Sequence, residues 1–150
     1  MRYVHLLVGL VFFVLSASLA HAEEITEYST DLYLEQNGTL QVTETLHYDF
    51  GTLPRHGVTR TIPTALPDTA SSWFKERYID VSRVVVTRDG IAAPFTRTHS
   101  RTTDQLKIGD ASVTISGLHT YKISYTVTGA LVRFTDGTAG LYWNAVGVDW

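Results

Sequence analysis

A chain of 150 residues is long enough to enclose one core without staples, and the absence of cysteine excludes thiol nucleophiles, thiolate metal sites and a disulfide framework. Its apolar fraction of 44% and charged fraction of 18% exclude wholesale disorder. The net charge of -3, with 12 basic residues scattered among 15 acidic ones, leaves no electrostatic footprint for nucleic acid.

Residues 1–22 have the three parts of a secretory signal. Arg2 stands near the start, an apolar run extends from Tyr3 to about Leu19, and Ala20-His21-Ala22 precedes Glu23. Cleavage is expected after Ala22, leaving 23–150 as an exported domain. The alternative is an uncleaved N-terminal anchor, because the run approaches the roughly 18 apolar residues that a spanning helix needs.

Beyond Glu23 the apolar residues alternate with period two, and turn residues separate the runs. Ile25 to Leu34 is the first strand, and Asn37-Gly38 reads as a two-residue type I′ turn into the strand Thr39 to Phe50. Asn37-Gly38-Thr39 also matches a glycosylation sequon, a reading the turn displaces. Gly51 to Gly57 is a loop, and Val58 to Ile62 is a short extended piece stopped by Pro63. Ala65 to Glu76 is irregular, with room for a helical turn. Ile79 to Thr87 and Ile91 to Thr98 form a hairpin about Asp89-Gly90, with Pro94 marking an edge or bulge. Leu106 to Ile108 and Ser112 to Ile115 read as a small hairpin about Gly109-Asp110. Leu118 to Val127 is the cleanest strand, with Tyr121, Ile123, Tyr125 and Val127 on one face. Leu131 to Phe134 is a connector, Asp136-Gly137 a turn, and Leu141 to Trp143 the start of a last strand. No sustained helical stripe and no repeat interrupts this pattern. Seven to nine short strands imply an all-β fold, an antiparallel β-sandwich of immunoglobulin-like or fibronectin-like arrangement, with a closed barrel as the second choice.

Within the strand Thr39 to Phe50, the apolar face carries Leu40, Val42, Leu46, Tyr48 and Phe50, with Glu44 in their midst. A lone carboxylate among apolar neighbours costs several kcal/mol or takes up a proton, so a guanidinium partner is the natural remedy. Arg60, just beyond the loop, offers the planar fork that suits it. The expectation is a structural ion pair, Glu44 with Arg60, that pins the loop 51–57 to the sheet; a binding or catalytic role is the sharper alternative.

Other residues are candidates for contact rather than chemistry. His56 lies in the loop, where a side chain can meet a partner; His47 falls on the strand face opposite Leu46 and Tyr48, and His119 is expected to make a local hydrogen bond. No histidines stand at metal-ligand spacing, so neither a metal site nor a cofactor is expected. Ser116-Gly117 lacks the nucleophile elbow of hydrolases, and Gly137-Thr138-Ala139-Gly140 follows no strand-to-helix phosphate loop. Trp73 and Phe74, between Ser71-Ser72 and Lys75-Glu76-Arg77, form an apolar dyad with polar flanks, suited to an exposed contact patch. Tyr142, Trp143 and Asn144 fill the core or line a sugar-stacking surface.

Several of these pieces together resemble a bacterial family called domain of unknown function 2207. They are Asn37-Gly38 with Val42-Thr43-Glu44, Tyr48-Asp49-Phe50, His56-Gly57, Arg60 and Ile62-Pro63, then Ile108-Gly109-Asp110 and Gly117-x-His119-x-Tyr121-x-Ile123-x-Tyr125. Gly129-Ala130-Leu131 and Leu141-Tyr142-Trp143-Asn144 with Gly147 and Trp150 follow in the same order. The resemblance implies a membrane protein in which a signal peptide and an exported β-domain precede spanning segments and a cytoplasmic portion. A member would continue past Trp150 through another strand, so the natural C-terminal continuation is expected to be missing here. The resemblance supplies no activity.

The expected function is therefore a non-enzymatic sensing or interaction module outside the cytoplasm, periplasmic or extracytoplasmic, in an envelope or membrane protein. Its partner is an envelope protein or cell-wall component, and its membrane association runs through the signal anchor or the missing C-terminal segment. Two alternatives stand beside it: a cell-wall glycan-binding or glycan-processing domain using Tyr142, Trp143 and Asn144 with Glu44, and a purely structural module that holds a membrane partner.

Overall fold

A computed structural model of the chain describes residues 23–67 and 76–147. Twelve strands and no helix are found among them. In chain order they are β1 (Glu24–Leu34), β2 (Leu40–Asp49), β3 (Gly57–Pro63), β4 (Ala65–Pro67), β5 (Glu76–Tyr78), β6 (Asp80–Arg88), β7 (Ile91–Ala92), β8 (Phe95–His99), β9 (Thr103–Gly109), β10 (Leu118–Thr128), β11 (Leu131–Arg133) and β12 (Ala139–Leu141). The protein is all-β, in antiparallel sheets: a five-stranded one ordered β1-β2-β10-β6-β7, a three-stranded one ordered β3-β9-β8, and the two-stranded pairs β4-β5 and β11-β12.

Alternation explains which face of each strand is buried. Leu40, Val42, Leu46, Tyr121, Ile123, Tyr125 and Val127 line the inner face of the larger sheet; Val58, Ile62, Leu106 and Ile108 line that of the smaller. All of them belong to one buried cluster, so the two sheets turn their apolar faces toward a common core.

The turns depart from expectation in instructive ways. At Asn37-Gly38 only Gly38 has positive φ (85°), and its N–H bonds to Glu35 O at 2.9 Å while Glu35 N–H bonds to Thr39 O at 2.8 Å. This is a three-residue loop ending in a left-handed glycine, not the two-residue type I′ turn, because Asn37 spends its side-chain oxygen on the Thr39 N–H at 2.8 Å and keeps negative φ. Asp89 (φ 53°) and Gly90 (φ 79°) do form a type I′ turn.

The return from that turn does not continue as one strand. β7 pairs with β6, and after Pro94 the chain crosses to the other sheet, where β8 pairs with β9. Proline, which lacks a donor for the ladder, stands at the switch. The expected hairpin about Gly109-Asp110 is also absent: β9 is a seven-residue strand between β3 and β8, and 110–117 is a loop. Asp110 forms that loop by accepting the Ser112 N–H and hydroxyl at 2.8 and 2.6 Å, a local alternative to ladder pairing. Leu131 to Phe134, read as a connector, contains β11, and the last strand is Ala139–Leu141 rather than one starting at Leu141. Opposite Ser124 to Thr126, β6 carries a bulge with Arg83 at φ 51°.

Candidate functional site

The side chains with the most chemical potential meet between the two larger sheets. Glu44 stands on the inner face of β2 and is 0% exposed; Arg60 stands on the inner face of β3 and is 1% exposed. Arg60 Nε donates to Glu44 Oε2 at 2.8 Å and Nη2 donates to Oε1 at 2.7 Å, a side-on two-point contact, while Nη1 donates to Thr61 O at 2.6 Å. Tyr125, from β10 next to β2, donates its hydroxyl to Glu44 Oε1 at 2.6 Å. Both carboxylate oxygens are thereby occupied.

The electrostatics follow from enclosure. Burial alone would lower the Arg60 pKa, but the hydrogen bonds and charge of Glu44, with the nearby Tyr125 and Tyr28 hydroxyls, raise it above its ordinary value. Tyr125 is pushed strongly upward, first by burial and then by the negative charge of Glu44, so its proton is retained and its role as donor is held. Tyr28 is raised for the same leading reason, burial. Its hydroxyl donates to Ala145 O at 2.8 Å, which ties the C-terminal stretch to this centre.

A second buried carboxylate escaped the sequence reading. Asp104 is fully buried on β9 and receives Arg97 from β8, with Nε to Oδ1 at 2.8 Å and Nη2 to Oδ2. The same Nη2 donates to Val81 O on β6, so this guanidinium also spans from the smaller sheet to the larger. The signal was present in Asp104, Leu106 and Ile108, which alternate on one face. Starting the strand at Leu106 hid it. Tyr125 was placed on the core face but not recognised as the third member of the Glu44 site.

His56, Gly57, Thr59, Thr96, Lys107 and Ala111 line a solvent-open groove of about 300 Å³ at the start of β3. Its floor is bare backbone, because Gly57 and Gly109 are cross-strand partners with φ of 139° and 135°. A Cβ on Gly57 would fall 1.9 Å from Ile108 O, and one on Gly109 the same distance from His56 O, so neither position admits another residue. His56 Nδ1 lies 3.0 Å from Val113 O, which orients the ring beside the groove.

The remaining candidates are dispersed. Tyr142 is exposed; Trp143 is half-buried with its ring 6.1 Å from that of Tyr125. Trp143 and Asn144 close over Arg60, Ile62, Pro63 and Leu66, leaving a gap of only about 10 Å³. That is space for about one water, not for a sugar ring between these residues and Glu44. His119 Nδ1 lies 2.7 Å from Asp89 Oδ2, and His47 Nε2 lies 4.0 Å from Glu27 on the outer face. Trp73, Phe74 and Trp150 lie outside the described residues, as do residues 1–22. Among the described residues no group of three or more His, Asp or Glu could hold a metal ion.

Residues 24–150 match the family described as predicted membrane protein (DUF2207), N-terminal domain. The chain belongs to this family. No curated protein and no solved structure matches the chain significantly. In this DUF2207 domain the match runs from the start of β1 through β12, so the Glu44, Arg60 and Tyr125 centre and the His56 groove both lie within it. No described helix of the DUF2207 domain is long and apolar enough to cross a membrane.

Proposed function

We propose that the DUF2207 domain is an extracytoplasmic interaction module of a membrane protein, a β-sandwich of immunoglobulin-like type whose charged centre serves the fold and whose partner binds outside it. The observation that carries this reading is the enclosure of Glu44. A carboxylate that is fully buried, with both oxygens engaged by Arg60 and Tyr125, is not disposed to take a proton from a substrate or attack one. It is well disposed to hold two sheets in register. The groove at His56 and Lys107, by contrast, is open and combines a cation, two threonine hydroxyls and bare backbone, a surface fitted to a partner's polar or acidic segment.

Export is supported by the signal-like residues 1–22 directly before β1. Alkaline phosphatase fused after Trp150, active only outside the cytoplasm, is expected to be active in cells and to lose activity when residues 2–22 are deleted. A photo-crosslinker at Thr96, beside the groove, is expected to capture an envelope component that Lys107→Glu releases. An inactive fusion, or a purified domain that hydrolyses a cell-wall or peptide substrate and loses this on Glu44→Gln, overturns the reading.

A further inference from the structure

We propose that one end of this domain, built from loops 50–56, 89–94 and 110–117, lies directly against a lipid bilayer with its apolar tips in the interfacial layer. This rests on the reading of the chain as a domain held at a membrane and adds which surface faces the lipid. The connections β2 to β3, β6 through β7 to β8, and β9 to β10 all turn at this end. Each presents an exposed apolar side chain: Leu53 (46% exposed), Ile91 (75%) and Val113 (48%), joined by Leu118 (59%) at the start of β10. Exposed apolar residues also stand at the opposite end, Leu32, Tyr33 and Leu34 among them, so these four mark a candidate face and the path of the chain chooses between the two ends.

The patch is a firm platform. Arg55 and Ile115 exchange backbone hydrogen bonds at 2.9 and 2.8 Å, Phe50 N–H bonds to Gly117 O at 3.0 Å, and Gly117 N–H bonds to Gly51 O at 2.8 Å. Many of the polar groups around it are engaged within the domain. Arg55 pairs with Glu23, His119 with Asp89, His56 with Val113 O, and the carboxylates of Asp49 and Asp110 accept the Gly51 and Ser112 N–H groups. Paired groups lose less on leaving water, so this end can approach lipid at lower cost than a ring of free charges. Arg88 is engaged with the Tyr121 hydroxyl and Lys107 is a single exposed cation at the groove, too few for a cationic collar, which makes zwitterionic lipid a sufficient occupant.

The path of the chain identifies the occupant. Glu23 is held at this end by Arg55 and by the Tyr48 hydroxyl at 3.1 Å, and in the chain that keeps residues 1–22 the apolar run Tyr3 to Leu19 is joined to it through only three further residues. At the other terminus, Tyr142 N–H bonds to Ala130 O near the opposite end, Trp143 packs on Tyr125, and Ala145 O accepts the Thr30 hydroxyl at 3.0 Å. Residues 142–145 therefore run antiparallel to β1, in the direction of the end where Glu23 sits. Both directions of the chain point to the surface that carries Leu53, Ile91, Val113 and Leu118.

Because the chain has no cysteine, single probes are clean. The full 150-residue chain carrying Leu53→Cys, Ile91→Cys or Val113→Cys, and as opposite-end controls Gln36→Cys or Tyr33→Cys, is labelled with nitrobenzoxadiazole and reconstituted with phosphatidylcholine vesicles. Circular dichroism verifies the β-fold of each variant, and flotation verifies association. Probes at 53, 91 and 113 are expected to shift to the blue and to lose most of their emission when the vesicles contain phosphatidylcholine with a shallow doxyl group; probes at 36 and 33 keep theirs. Chains that float but show no quenching at 53, 91 and 113, or equal quenching at both ends, overturn this orientation and leave the membrane-held reading standing. Chains that do not float overturn both.

Discussion

At the residue scale, the fold depends most on Glu44 and Arg60. Removing one member of a buried pair strands the other charge in the core, so Arg60→Ala is expected to lower stability by about 3–5 kcal/mol, read as a large fall in the urea midpoint. The double variant Glu44→Leu, Arg60→Met keeps volume without charge and is expected to be more stable than either single change. An unchanged midpoint for Arg60→Ala would remove the pin. Tyr125→Phe deletes one donor to a buried carboxylate and is expected to cost about 1.5–3 kcal/mol by the same measurement, the range for hydrogen bonds to charged groups. The pairing of Glu44 with a guanidinium was legible in the sequence because strand alternation put an acid on an apolar face. The hydroxyl of Tyr125 was not, since nothing in its own strand says which neighbour lies opposite.

At the element scale, the pairing of β3 with β9 depends on two glycines that touch across the ladder. Gly57→Ala or Gly109→Ala would bring a Cβ to 1.9 Å from a carbonyl oxygen, so the strand ends must separate and the His56 groove lose its shape. Gly90→Ala meets open space and bears only the left-handed backbone penalty of about 1–2 kcal/mol. Thermal unfolding of the three variants is expected to rank Gly90→Ala well above the other two, and a reversed order would show that the ladder accommodates the clash. Neither glycine announced this contact, because a cross-strand approach is a property of two segments 52 positions apart. The same reason hid the switch of sheets at Pro94. The residue was legible as a break in a strand, but the strand's second partner was not.

At the scale of the molecule, enclosure sets the response to pH. Tyr125, buried, and Tyr28 and Tyr48, each partly buried, all have pKa values raised above the ordinary 10.0 by loss of solvent, with the Glu23 carboxylate adding to the effect at Tyr48. Below pH 10 these hydroxyls are protonated whether the chain is folded or not, so their contribution is fully present. Above it the unfolded chain releases protons that the fold retains, and stability falls as pH rises. The urea midpoint is expected to stay level as pH approaches 10 and to decline beyond it, with a shallower decline in Tyr125→Phe. Equal declines in the two proteins would place the alkaline sensitivity elsewhere.

The order of polar and apolar residues along this chain was enough to establish an all-β domain, most of its strands, and an acid that needed a guanidinium, because period-two burial and the cost of a buried charge act through near neighbours. Which sheet each strand joins, that Asp104 and Arg97 form a second buried pair, and that three loops and the start of β10 bring Leu53, Ile91, Val113 and Leu118 to one end were decided only by the tertiary structure. Those relations join residues far apart in sequence, and closing the chain on itself is what gives them a distance.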